Sequence, residues 1–201
     1  MSDIIAVMGP SGAGKTTLAN NLVLKNGVVI PRHTTTRSKR KDDEDGFYRY
    51  LMHDEYKELY DQGLFLISSG DGNEIKKENG NFYGVLKSDC FEAFKKSDII
   101  LLFTSYKDIL FLVNLNNTGF NIRIVNLTFT EIEKNMRERL VGNNEREQTI
   151  EDINSRIKWA LKDLHDYYEE LQLYSDITVY TDIKNIEETY QDVCKKLKLK
   201  I

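Results

Sequence analysis

Two cysteines in 201 residues, Cys90 and Cys194, are too few and too far apart for a disulfide-stapled fold or a cysteine metal site. Both are read as free thiols of a reducing compartment. With only two prolines, Pro10 and Pro31, and no serine-rich stretch, the chain offers no linker at which to divide it. A chain of this length supports one substantial core. No window approaches the roughly 18 apolar residues of a membrane span. The apolar run Ile4 to Met8 is also shorter than the apolar region of a secretory signal. Excess positive charge is missing as well: the net charge of −4 excludes a global attraction to nucleic acid or an anionic membrane. The one basic run, Arg37 to Lys41, is followed at once by four acidic residues, Asp42 to Asp45. Its long-range field is cancelled, so an anion held there must sit close to individual arginines. The expectation is a cytoplasmic protein of one domain, monomer or homodimer, with no nucleic-acid or membrane partner.

What the chain does have is Gly9-Pro10-Ser11-Gly12-Ala13-Gly14-Lys15-Thr16, a complete GxxxxGK[ST] phosphate loop placed directly after the apolar run. Glycines let the backbone turn so that successive N–H groups of Ser11, Gly12, Ala13, Gly14, Lys15, Thr16 and Thr17 face phosphate oxygens. Lys15 reaches the outer phosphates and the Thr16 hydroxyl is the candidate Mg²⁺ ligand. Leu18, Ala19, Leu22 and Val23 mark one face of the following helix, whose positive end aims at the same anion. This strand, loop and helix make ATP with Mg²⁺ the expected donor.

Further along, Ile99 to Phe103 and Ile122 to Leu127 are apolar runs with β-branched residues, as expected of strands covered on both faces. Thr149 opens a capping signal to Asp152, and Ile153, Ile157, Ala160, Leu161, Leu164, Tyr168 and Leu171 predict one long amphipathic helix. A strand over Ile177 to Tyr180 and a helix from Asn185 to Leu197 complete an α/β pattern: a parallel sheet with helices on both faces and a ligand at the strands' carboxyl ends. Residues 33–84 differ, being polar and rich in tyrosine. They read as a small inserted lobe with a strand near Tyr48 to Leu51, a helix opened by Asp54, a strand over Leu64 to Ser68 and a glycine-rich hairpin over 70–80. The expected division is a core of 1–32, 85–140 and 158–201, with an inserted lobe of 33–84 and a separate segment of 141–157.

The order of the phosphate loop, Thr35-Thr36-Arg37-Ser38-Lys39-Arg40, Asp45-Gly46-Phe47-Tyr48 and Asn81-Phe82-Tyr83-Gly84 resembles the guanylate kinase family over essentially the whole chain. The resemblance implies a P-loop NTPase fold with 33–84 as the acceptor-binding lobe and 141–157 as a lid, and transfer of the ATP γ-phosphoryl group to a small phosphorylated acceptor, nominally GMP. It implies that Arg37, Arg40, Tyr48 and Tyr83 hold the acceptor phosphate. Guanidinium forks match phosphate oxygens bidentately, and phenol hydroxyls complete such a cage without adding charge. Arg139, Arg146 and Arg156 resemble the family's arginines around ATP and on the lid, with Arg146 and Arg156 assigned to the transferring group beside Lys15. Arg137 reads as a solvated helix residue, and Asp182 matches the loop that contacts adenine.

The positions that read guanine in similar enzymes, a serine, a glutamate, a second serine and an aspartate, hold His33, Ile67, Val85 and Thr104 here. A further family aspartate falls at Leu102. Leaving guanine's N1–H and amine unpaired costs roughly 1–3 kcal/mol each, which argues against strong GMP selectivity. A sugar-phosphate kinase, similar to the ribose 1,5-bisphosphate kinases, is the alternative acceptor reading, with His33 either contacting an acceptor hydroxyl or packed at the lobe edge. A non-catalytic phosphopeptide-binding module is the alternative from another class, and the intact phosphate loop speaks against it.

Overall fold

The computed structural model describes residues 2–41, 43, 45–68, 81–116, 119–142 and 149–200. Four parallel strands form the central sheet in the order β6-β1-β7-β8: Ser2–Met8 (β1), Ile99–Phe103 (β6), Phe120–Thr128 (β7) and Ile177–Tyr180 (β8). Alternation along β1 explains why both faces are covered. Ile5 and Val7 join one apolar cluster with Leu101, Val125, Leu127 and Val179, while Ile4, Ala6 and Met8 join a second with Ile100, Leu102, Ile122 and Ile124. The first cluster is closed by helices α1 (Lys15–Asn26), α5 (Ile132–Val141) and α8 (Ile186–Leu197), the second by α3 (Lys87–Phe94) and α4 (Ile109–Asn116). This is the α/β layering that the sequence predicts.

The single long helix predicted from Thr149 is two helices, α6 (Ile150–Asp166) and α7 (Tyr168–Tyr174), broken at Tyr167 with φ −119°. The reason lies in the two clusters. Ile153, Ile157 and Ala160 pack on one, whereas Leu164, Tyr167, Leu171 and Tyr174 pack on the other, and one straight stripe does not serve both. Tyr168, assigned inward by spacing, is exposed, and Tyr167 takes its place. The Thr149 cap holds as predicted, its hydroxyl accepting the Asp152 N–H at 3.1 Å.

A second sheet, ordered β3-β2-β5-β4, comprises His33–Thr35 (β2), Tyr48–Tyr50 (β3), Phe65–Ser68 (β4) and Tyr83–Leu86 (β5), with α2 (His53–Asp61) on one face. A bulge between Phe65 and Ile67 changes the face of β4 within two residues. Phe65 packs with Tyr56, Phe82 and Leu86 under α2, while Ile67 lies opposite Val85 in the cluster that faces β1 and β6. Gly84 is fixed by crowding, since a Cβ there would stand 2.7 Å from the Ile67 carbonyl oxygen and from the Tyr56 hydroxyl. The expected 70–80 hairpin lies outside the described residues.

Candidate functional site

The loop after β1 is shaped by close approach. Gly9 adopts φ 143°, and a Cβ there would fall 2.1 Å from the Leu127 carbonyl oxygen of β7, so no other residue fits. Lys15 opens α1 and folds its ammonium back over the loop, donating to the carbonyls of Gly9 at 2.7 Å and Pro10 at 2.9 Å. Thr16 and Thr17 are exposed in the first turn, and Ser11 is half-buried in the loop. Thr16 thus offers a hard oxygen donor beside Lys15, of the type Mg²⁺ takes. Among the described residues no cluster of three His, Cys, Asp or Glu side chains could hold a metal.

Beside the loop lies a cavity of about 630 Å³ lined by Gly12, Ala13, Gly14, Thr17, Arg139 and Thr181, and by residues 184–187 and Thr189 around the start of α8. Arg139 spans its mouth, donating to the Gly12 carbonyl at 2.9 Å and the Thr181 carbonyl at 2.6 Å, with its guanidinium 4.9 Å from the Phe129 ring. Most of the expected ATP residues therefore meet here. Asp182, expected with them, is not among the lining residues. Its carboxylate accepts the Thr130 N–H at 3.0 Å, the Thr130 hydroxyl and the Asn135 amide at 3.2 Å, and it ties the end of β7 to the end of β8 instead of lining the cavity. Burial opposes its charge, and the Thr130 hydrogen bonds overcome this and lower its pKa. The α8 residues were missed as cavity walls. Their signal was the Asn185-Ile-Glu-Glu188 capping box, which starts the helix there.

On the second sheet, Thr35 pairs with Tyr50 on one side and Tyr83 on the other, and His33 pairs with Tyr48 and Val85. These two rows share a face, because side chains two residues apart on a strand do. Arg37 leaves the end of β2 buried, its guanidinium 4.6 Å from the Tyr48 ring centre. Asp43, which the sequence reading passed over as one acid in a run, takes both ends of that guanidinium at 2.6 Å. It also accepts the Arg40 N–H at 2.7 Å and the Tyr50 hydroxyl at 2.6 Å. The Arg37 hydrogen bonds hold the Asp43 carboxyl far below the usual range. Burial works against the Arg37 charge, but Asp43 and Tyr48 reverse this and raise its pKa. Tyr83 is partly exposed, and the Arg40 side chain is half-buried.

His33, Val85 and Ile67 are neighbours in one transverse row, and all three are buried. The His33 ring stacks on Phe47 with centroids 5.3 Å apart; Nδ1 lies 2.9 Å from the Pro31 carbonyl and Nε2 accepts the Phe103 N–H at 3.3 Å. Burial pushes its pKa down to about 4. Both ring nitrogens are thereby occupied in a neutral imidazole, which is the packed arrangement of the two expected for His33. The same bond hangs β2 on the carboxyl end of β6. Thr104, the next residue, donates its N–H to Val7 at 3.1 Å, and its buried hydroxyl has no partner among the described residues. The second sheet and the phosphate loop therefore meet at one end of the central sheet.

Of the expected lid arginines, Arg156 is half-buried in the second turn of α6 within range of Asp152, and Arg146 lies outside the described residues. Arg137, read as a solvated helix residue, joins α5 to α6 through the Asn154 side chain at 2.8 Å and pairs with Glu133 on its own helix, its side chain partly exposed. No helix among the described residues is long and apolar enough to cross a membrane.

A phosphate loop at the carboxyl end of a parallel sheet covered by helices on both faces is the P-loop NTPase fold, here that of a phosphotransferase. The guanylate kinase family model matches residues 1–198. The chain belongs to the guanylate kinase family, whose members are ATP-dependent nucleotide kinases. It is 29% identical over 164 residues to a guanylate kinase of Fusobacterium nucleatum, covering 80% of each chain. It is 27% identical over 200 residues to that of Anaplasma phagocytophilum, covering 98% of this chain and 88% of the relative. The crystal structure of guanylate kinase from Anaplasma phagocytophilum superposes with a TM-score of 0.68 at 19% identity over 98% of this chain and 85% of the other, a likeness of fold.

Proposed function

We propose that the protein transfers the γ-phosphoryl group of ATP to a small phosphorylated acceptor, gripping its phosphate without reading a base. The observation that carries this reading is the contrast within one face of the second sheet. Arg37 and Tyr48, Tyr50 and Tyr83 gather polar groups on one part of that face, while the adjacent row of His33, Val85 and Ile67 offers no free donor or acceptor. Lys15 and the loop amides hold the ATP phosphates, and Arg139 with the α8 residues encloses the rest of the nucleotide. Thr16 would hold Mg²⁺ together with phosphate oxygens and water, and the ion, when bound, neutralises charge on the transferring group. Arg146 and Arg156 are assigned to that group's equatorial oxygens. Such transfer depends on positioning and charge neutralisation, so these side chains need only arrive and be held.

GMP is the acceptor that the relatives' name supplies, and a sugar phosphate is the acceptor that the apolar row favours. At the four specificity positions the Thr104 hydroxyl is buried and has no partner among the described residues, so it adds no exposed base contact. ADP release measured over GMP, AMP, CMP, UMP and ribose 1,5-bisphosphate decides between them. The expected result is turnover with kcat/KM for GMP within about tenfold of the best other acceptor, because a site without base contacts discriminates weakly. A preference for GMP of about a thousandfold over the others would show that the base is read after all. ATP binding without turnover of any acceptor would favour the binding-module reading.

A further inference from the structure

Asp43 stands between β2 and β3 with its side chain 7% exposed, and it gathers four donors from three residues: Arg37 Nη1 and Nη2, the Arg40 backbone N–H and the Tyr50 hydroxyl. A guanidinium has five N–H groups in a rigid plane. In Arg37, Nη1 gives one to Asp43 and one to the Ser38 carbonyl at 3.0 Å, and Nη2 gives one to Asp43. The other two, on Nε and Nη2, lie along one edge as a fork of the width that phosphate oxygens match, with the Tyr48 hydroxyl in hydrogen-bonding range of the same guanidinium. The Tyr48 ring, 4.6 Å away, holds the plane from its face.

We propose that Asp43 is a positioning residue for the acceptor phosphate: it clamps Arg37 end-on so that the Nε–Nη2 edge is presented, and it fixes Arg40 and Tyr50 to the same point. The inference rests on the reading that Arg37 and Arg40 hold the acceptor phosphate. It adds an electrostatic consequence. Because Asp43 cancels the Arg37 charge, Arg37 contributes direction and Arg40 contributes net charge. A carboxylate that merely occupied the phosphate's place would act in the opposite sense, competing with the acceptor.

The test compares wild type with Asp43→Asn, Asp43→Glu and Tyr50→Phe in steady-state ADP release, varying GMP at saturating ATP and ATP at saturating GMP. Binding of GMP alone is measured on the same proteins by calorimetry. Asp43→Asn keeps the shape but turns an amide N–H toward a donor, and should raise the GMP KM and Kd about 10–100-fold, with the ATP KM within about twofold. Tyr50→Phe, which keeps every charge, should raise them roughly threefold, and Asp43→Glu should recover part of the loss. An unchanged GMP Kd in Asp43→Asn, or an equal rise in both KM values, overturns the proposal in favour of a purely structural role. A tighter GMP Kd overturns it in favour of the competing carboxylate. If Asp43→Asn does not fold, an unchanged Kd in Tyr50→Phe overturns it. GMP binding by the wild type without turnover would instead refute the kinase reading, and the Kd series would still decide the role of Asp43.

Discussion

On the proposed function the phosphate loop and the second sheet both hold phosphate, but they are built from different materials. The loop is backbone: eight consecutive residues, one of them a glycine pressed against the Leu127 carbonyl, with a single lysine bent over two carbonyls. The second sheet uses side chains from separate segments, Arg37, Asp43, Tyr48, Tyr50 and Tyr83, brought together only by the pairing of three short strands. A backbone site is fixed by local geometry and tolerates little change. A side-chain site can be altered one position at a time, and on the proposed reading the row of His33, Val85 and Ile67, all three buried, is such an alteration.

The most direct way to break the donor half is Lys15→Ala. It removes the one mobile charge of the loop, and ADP release should fall by about 10²–10³-fold, as it does when one preorganised donor is removed. Thermal unfolding should stay near wild type, since α1 begins and packs without that side chain. A fall of less than tenfold would mean that the ammonium, held on Gly9 and Pro10, does not reach the phosphates.

On the acceptor half the corresponding handle is His33. Its pKa is about 4 in the folded protein against 6.5 for an ordinary imidazole. Below pH 6.5 the unfolded chain takes up a proton that the native state refuses, so this contribution to stability is complete at pH 7 and is lost as the pH falls to about 4. The loss should reach about 3 kcal/mol. Asp43, held low by Arg37, acts in the same direction but only below the ordinary carboxylate range near pH 4. Urea unfolding at pH 7 and pH 4.5 should therefore show a steep fall for wild type and a shallower one for His33→Gln. Equal slopes would mean that the imidazole is not held neutral between the two sheets.

How much of this was legible in the sequence follows the same division. The strands β1, β6, β7 and β8, the cap at Thr149 and the loop were readable because each carries its signal locally. Helix α4 was not assigned: Ile-Leu-Phe-Leu-Val is as good a buried strand as a helix, and only the Ser105 to Asp108 capping box argues for the helix. Arg37, Tyr48 and Tyr83 were singled out through resemblance, yet Asp43 was not, because one acid among four has no mark in sequence that says which of them turns inward. The bulge that sends Phe65 and Ile67 to opposite faces was equally silent, since period-two reading assigns them to one.

The smallest effect is expected where sequence matching and geometry disagree. Asp182 matches a nucleotide-contacting position, but its carboxylate is spent on Thr130 and Asn135 at the far ends of β7 and α5's first turn. Asp182→Asn keeps one acceptor and replaces the other with a donor facing the Thr130 N–H. It should cost about 1–2 kcal/mol of stability, seen as a lower unfolding midpoint. The ATP KM should stay within about twofold, because the wall of the cavity at this point is the Thr181 backbone, which Arg139 holds at 2.6 Å. The reverse pattern, an unchanged midpoint with an ATP KM raised tenfold or more, would return Asp182 to the nucleotide. The donor site would then depend on a side chain as the acceptor site does, and the contrast between backbone and side-chain anion sites would hold for the phosphates alone.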